Sequence, residues 1–83
     1  MNEIGKKINL SELKIGQVAI ITDLNIEDKK TRRHLLDMGF TSGVKVKVKK
    51  IAPMGDPVDI ELRGYEIALR KVDLKGIEVE VIR

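Results

Sequence analysis

A chain of 83 residues without cysteine has room for one domain near the lower size at which a hydrophobic core holds unaided, and it excludes a disulfide framework, a thiolate zinc site and a cysteine nucleophile. Sixteen Lys and Arg against 13 Asp and Glu leave a net charge of +3, too modest to specify a polyanionic partner. One Phe, one Tyr and no Trp are too few for the stacking platforms of single-stranded nucleic acid binders or the aromatic walls of a proline-rich peptide groove.

The opening MNEIGKKINLSEL lacks an apolar run of signal-peptide length, and nowhere do about 18 apolar residues follow one another, so a single cytoplasmic domain spanning residues 1–83 is expected. Asn9 followed by Glu12 predicts a capping-box turn that Gly16 ends. QVAIITDL (17–24) is β-branched and apolar almost throughout, which predicts a central strand with little face left to water. From Glu27 the run EDKKTRRHLLDMG has acidic residues first, helix formers next and a glycine last, the pattern of one real helix. Leu35 and Met38 share its apolar face, and Gly39 in a left-handed C′ position lets Phe40 fold back on Leu35. GVKVKVKKI (43–51) and PVDIELRG (57–64) alternate strictly and predict two half-buried strands, joined through the turn APMGDP into an antiparallel hairpin. YEIALR (65–70) follows Gly64, VDLKG reads as a short turn, and IEVEVI (77–82) alternates again. The expected fold is mainly β: a small, strongly bent five-stranded barrel with one short α-helix, closed so that no sticky edge remains.

Chemistry-bearing residues are sparse. The lysines of KVKVKK share an outer face with Asp59, Glu61 and Arg63, so two opposite-charge cross-strand pairs are expected, with RNA contact as the alternative use of that face. Lys29, Lys30, Arg32 and Arg33 read as a charged, exposed helix face. His34 and Asp37 stand three apart on the helix, a spacing that presents imidazole and carboxylate to one divalent transition metal; Asp56, Asp59 or Glu61 would have to complete the set. Asp37 opposes the helix macrodipole, and a hydrogen bond to the following turn is the expected compensation, with Arg33 one turn earlier as a second. Ser11 and Ser42 sit in turns with no activating set, and no phosphate-binding glycine loop is present, so no enzyme activity is expected.

Four ordered stretches carry a resemblance: LSELKIGQVAII (10–21), RRHLLDMGFTSGVKVKV (32–48), PMGDPVDIELRGYEIALR (53–70) and IEVEV (77–81). Together they resemble the FeoA family, the small ferrous iron transport proteins A of prokaryotes. The resemblance implies an SH3-like barrel and a cytosolic accessory or regulatory role in Fe(II) uptake, docked on the cytosolic part of a FeoB-type permease that carries a GTP-binding domain. It implies no required cofactor beyond weak contact with Fe(II) or another divalent transition metal. A similar barrel ends the iron- and manganese-dependent repressors, which makes a metal-sensing module through His34 and Asp37 the second reading; this sequence has no DNA-reading helix-turn-helix of its own. Within residues 52–70, Val58, Ile60, Leu62, Ile67 and Leu69 read as scaffold. Met54 and Asp56 at the loop tip, with Arg63 and Arg70 on the strands, are the expected partner-binding residues.

Overall fold

The computed structural model describes residues 3–83; Met1 and Asn2 of the expected domain lie outside the described residues. Its elements follow the periodicities closely. In chain order they are β1 (Lys7–Asn9), a 3-10 turn (Leu10–Glu12), β2 (Val18–Leu24), α1 (Lys29–Asp37), β3 (Lys45–Ile51), β4 (Val58–Leu62), β5 (Tyr65–Leu69), α2 (Lys71–Leu74) and β6 (Ile77–Val81). All pairings are antiparallel, in the order β1-β6-β2-β3-β4-β5. β2 is therefore interior, flanked by β6 and β3, which is why its sequence is apolar on nearly every position.

Three expectations are corrected. The sheet has six strands, because Lys7–Asn9 pairs with β6 through Ile8 opposite Val79. VDLKG contains a turn of helix, α2. The sheet is also open: no ladder joins β1 to β5, and the two ends meet instead where the turn after β1 packs on α2, the element after β5. That packing joins the two ends of the sheet, while the edge strand β5 stays largely exposed and is short, as unpaired edges commonly are.

Alternation places the core. Val58, Ile60 and Leu62 of β4, Ile77, Val79 and Val81 of β6, and Val46 and Val48 of β3 all point inward and join Leu10, Leu35, Phe40 and Leu74 in one cluster. Two bulges interrupt the ladders. Val48 faces Ile60 but Lys50 faces Asp59, so Lys49 has no register partner and both lysines are exposed. Ile21 faces Val79 but Asp23 faces Glu78; the intervening Thr22 places its hydroxyl 2.7 Å from Glu78 Oε1 and 3.2 Å from the Glu78 carbonyl oxygen. Among the described residues every buried side-chain N and O atom has a hydrogen-bond partner.

The helix ends are built as their sequences dictate. Asp28 is the N-cap of α1, accepting from the Lys30 N–H at 3.3 Å and from the Thr31 hydroxyl at 2.6 Å. The Thr31 bond, then the Lys30 N–H, holds the Asp28 carboxyl below its ordinary value, since both favour the charged form. At the other end the Gly39 N–H donates to Leu36 O and the Phe40 N–H to Leu35 O, both at 3.0 Å, with Gly39 at φ 102. These are the two bonds of a Schellman ending, and they swing Phe40 into the core. Asp37 finds its partner in Arg33, 3.6 Å away, and no bond to the following turn forms. Both side chains are largely exposed, so the pair contributes little.

Candidate docking surfaces

The β3–β4 loop is closed on itself by the Ala52 N–H donating to Pro57 O at 3.0 Å and the Gly55 N–H to Ala52 O at 2.7 Å. Met54 stands at its tip, 92% exposed. Asp56 serves the scaffold, since its Oδ1 accepts from the Lys71 N–H at 2.7 Å and so caps α2 from a distance of 15 residues. Arg70, just before α2, pairs through Nε with Asp73 Oδ2 at 3.8 Å. Met54, Asp56 and Arg70 thus belong to one end of the sheet, where Ile51 and Val72 also expose apolar side chains.

Arg63 does not join them. It lies beyond the five-residue strand β4, about 17 Å along the sheet at ~3.4 Å per residue, and it is in a turn rather than on a strand. Leu62 pairs with Tyr65, leaving Arg63 (φ 49) and Gly64 (φ 84) as a two-residue hairpin turn with both φ positive, the geometry that follows the sheet's own twist. A non-glycine residue held there costs about 1–2 kcal/mol.

This turn leans on the end of α1. The Tyr65 hydroxyl donates to the Met38 carbonyl, one of the acceptors a helix end leaves unsatisfied, and Arg63 Nη2 donates to Thr41 Oγ1 at 3.4 Å. Both side chains pass over Gly39: a Cβ there would lie 3.2 Å from the Tyr65 hydroxyl and 3.3 Å from Arg63 Cδ. The helix-ending motif Leu36-Asp37-Met38-Gly39-Phe40 and the hairpin Arg63-Gly64-Tyr65 therefore form one junction. Sequence patterns single out the two segments but not their meeting. An arginine in a turn position usually held by Asn or Asp conceals the hairpin, and nothing local distinguishes Tyr65 from any other strand residue.

His34 and Asp37 are both exposed on the last turn of α1. Asp37 is paired with Arg33, Asp56 with the Lys71 N–H, and Glu61 with Lys49, and among the described residues no group of three or more His, Cys, Asp or Glu side chains is set to hold a metal ion. His34 and Asp37 alone would need water or a partner's groups to fill the remaining coordination positions.

The outer face of the β3–β4 hairpin carries one ion pair, Lys49 Nζ to Glu61 Oε2 at 3.9 Å, where two were expected. The bulge at Lys49 is the reason, because it brings that lysine within reach of Glu61 although Lys47 is the register partner. Lys45 and Lys47 are left without an ion pair among the described residues.

Comparison with known proteins shows the family and the fold. The FeoA domain family matches residues 8–81. A Porphyromonas gingivalis protein that joins Fe(2+) transport protein A to the Fe(2+) transporter FeoB is 38% identical over 76 residues, covering 90% of this chain; the chain spans only 9% of that fusion's length. The solution structure of a FeoA-like protein from Clostridium acetobutylicum superposes with a TM-score of 0.85 at 38% identity, covering 94% of this chain and 90% of that one. The FeoA of Stenotrophomonas maltophilia, a procaryotic SH3 domain protein crystallised with zinc, gives a TM-score of 0.78 at 25% identity over 88% of this chain and 89% of that one. A manganese-dependent transcriptional repressor shares the fold alone, at 13% identity and a TM-score of 0.84 over 92% of this chain and 37% of the repressor. The SH3-like, mainly β expectation therefore stands with six strands in place of five. With β2 to β6, its helix ending and its hairpin all inside the matched region, the chain belongs to the FeoA domain family.

Proposed function

We propose that this protein is an accessory subunit of prokaryotic ferrous iron uptake that docks on the cytosolic part of a FeoB-type Fe(II) permease and biases its state. One observation carries the reading: in the Porphyromonas gingivalis relative the same domain is covalently joined to the transporter. Fusion raises the effective concentration of one module at the other, which matters only if the two engage. No helix of the described residues is long and apolar enough to cross a membrane, so in this reading the protein reaches the membrane through its partner.

Docking falls to Met54, Asp56 and Arg70 at one end of the sheet and to Arg63 at the other. Met54 is an exposed, adaptable apolar side chain on a loop that Asp56 ties to α2, and Arg70 is held by Asp73. Such a surface regulates the permease only by binding one of its states more tightly than another. The test is an amide-shift NMR titration of the labelled protein with the permease's isolated cytosolic domain, loaded with a GTP analogue or with GDP. Shifts concentrated at 54–56, 63 and 70, with at least ~fivefold different affinity between the two nucleotide forms, are expected; a factor of five is about 1 kcal/mol, the lower end of ordinary coupling energies. Equal affinities would remove the switching role, and no binding by either form would remove the docking.

The zinc-bound Stenotrophomonas maltophilia relative favours a second reading, a weak divalent-metal contact at His34 and Asp37. It predicts that Fe²⁺ added anaerobically perturbs the His34 ring resonances and that His34→Ala weakens binding by about tenfold. Unchanged affinity in the variant would end it.

A further inference from the structure

Lys45 and Lys47, which make no ion pair among the described residues, open onto a cleft of about 450 Å³, lined also by Arg63, Arg83, Glu61 and Val18. One apolar side chain lies at its floor. Val18 is 8% exposed yet stands outside the core cluster, because side chains alternate along β2 and Ala19 is the inward one; Val18 faces the other way, beside its register partner Lys47. Arg83 is held over this floor by a reciprocal pair of backbone bonds, Val18 N–H to Arg83 O and Arg83 N–H to Val18 O, both 3.1 Å. The one side-chain carboxylate of the cleft, Glu61, is engaged by Lys49, while Lys45, Lys47 and Arg83 make no ion pair among the described residues. The cleft is thus a trough rimmed mainly by cations, with Val18 at its bottom.

We propose that this trough seats an extended, acidic protein segment whose carboxylates, at alternate positions, meet Lys45, Lys47 and Arg83. Two residues apart on one strand, Lys45 and Lys47 are spaced by about 6.8 Å, the same repeat at which an extended peptide presents every second side chain. The intervening side chains of such a segment face away, and its backbone lies across the sheet instead of extending an edge. Nucleic acid fits the trough less well. No aromatic side chain lines it, since Phe40 is in the core and Tyr65 is tied to Met38, so bases have nothing to stack on. The Arg63 guanidinium is turned toward Thr41, which leaves three side chains, Lys45, Lys47 and Arg83, as cations without an ion pair among the described residues, too few for firm backbone binding at physiological salt. Charges placed like this govern register and rate of encounter more than affinity. The site's identification with the permease contact rests on the docking reading above; the site itself does not.

The experiment titrates the labelled protein with a blocked peptide of alternating Ser and Glu, with its Gln counterpart, and with a short oligouridylate, and repeats each with the exposed-site variant K45Q/K47Q. The expected result is shifts confined to Lys45, Lys47, Glu61, Gly64 and Arg83 with the Glu peptide, absent with the Gln peptide, and weakened about five- to tenfold in the variant by loss of two exposed ion pairs. No localised shift at millimolar Glu peptide, equal shifts with the Gln peptide, or tighter binding of the oligouridylate at the same residues would each overturn it. Titration with the permease's cytosolic domain separates the two claims. Equal binding of that domain by wild type and K45Q/K47Q overturns the trough as its contact and leaves docking intact. Capture of the Glu peptide without any binding of the domain supports the trough and overturns the docking reading.

Discussion

Phe40→Ala is expected to remove a large share of the stability of this protein, from about a quarter to all of it. Phe40 is fully buried and is the largest side chain in a core otherwise made almost wholly of Leu, Ile and Val. Truncating a buried phenylalanine costs about 3–5 kcal/mol, the lost transfer energy plus that of the cavity left behind. A domain of this length has roughly 4–12 kcal/mol in total at ~0.05–0.15 kcal/mol per residue. Aliphatic neighbours fixed on the strands cannot collapse far into the space, because their positions are set by ladders that the cavity does not touch. Urea unfolding followed by far-UV circular dichroism reads the effect as a fall in midpoint at constant slope. Phe40→Leu, which keeps most of the volume, should lose about 1–1.5 kcal/mol. A loss under about 1 kcal/mol for the alanine variant would mean that the core closes around the gap and that the Schellman ending, rather than the ring, is what α1 contributes there.

That ending is legible in the sequence because everything it needs is local. Gly39 and Phe40 follow a run of helix formers, and the bonds to Leu36 and Leu35 span at most five residues. The strands of alternating valine and lysine or glutamate are legible for the same reason: period two is a property of consecutive residues. What escapes reading is non-local. β1 is a strand only because Val79 of β6 lies opposite Ile8, and three residues carry no period of their own. α2 is four residues long and is started by Asp56 across the β3–β4 loop, so VDLKG alone reads as a turn. The Lys49-Lys50 doublet breaks the alternation before Ile51, but nothing local says that the resulting bulge turns Lys49 to Glu61 and so frees Lys47. The predicted partner residues divide between two ends of the sheet for a related reason. Proximity in sequence between Met54 and Arg63 spans a whole strand, whereas Arg63 and Gly39, far apart in sequence, touch.

The contact between Arg63, Tyr65 and Gly39 makes the second large effect, and it is open to dissection. Gly39→Ala places a Cβ at φ 102, a conformation that costs an L-residue about 1–2 kcal/mol. The same Cβ meets the Tyr65 hydroxyl at 3.2 Å and Arg63 Cδ at 3.3 Å, inside the ~3.5–4.0 Å of favourable contact. Arg63 is long and exposed and can swing aside, but Tyr65 is held through its hydroxyl by the Met38 carbonyl, and displacing it forfeits a bond of about 1 kcal/mol. Gly39→Ala should therefore lose about 2–3 kcal/mol in urea unfolding, some 10–20 °C in Tm at ~4–8 °C per kcal/mol. Gly64→Ala provides the comparison, since Gly64 has φ 84 and a Cβ placed there would meet no heavy atom within 4 Å; it carries the backbone strain alone and should lose about 1–2 kcal/mol. The excess at Gly39 is then the energy that couples the helix ending to the hairpin. If the tyrosine hydroxyl is its source, Gly39→Ala made in a Tyr65→Phe background should cost about 1 kcal/mol less than in the wild type, because the bond to be broken is already gone. Equal losses at Gly39 and Gly64 would mean instead that the two segments meet without energetic coupling. Arg63 would then be held only by its own turn and by Thr41, free to follow whatever occupies the trough beside it.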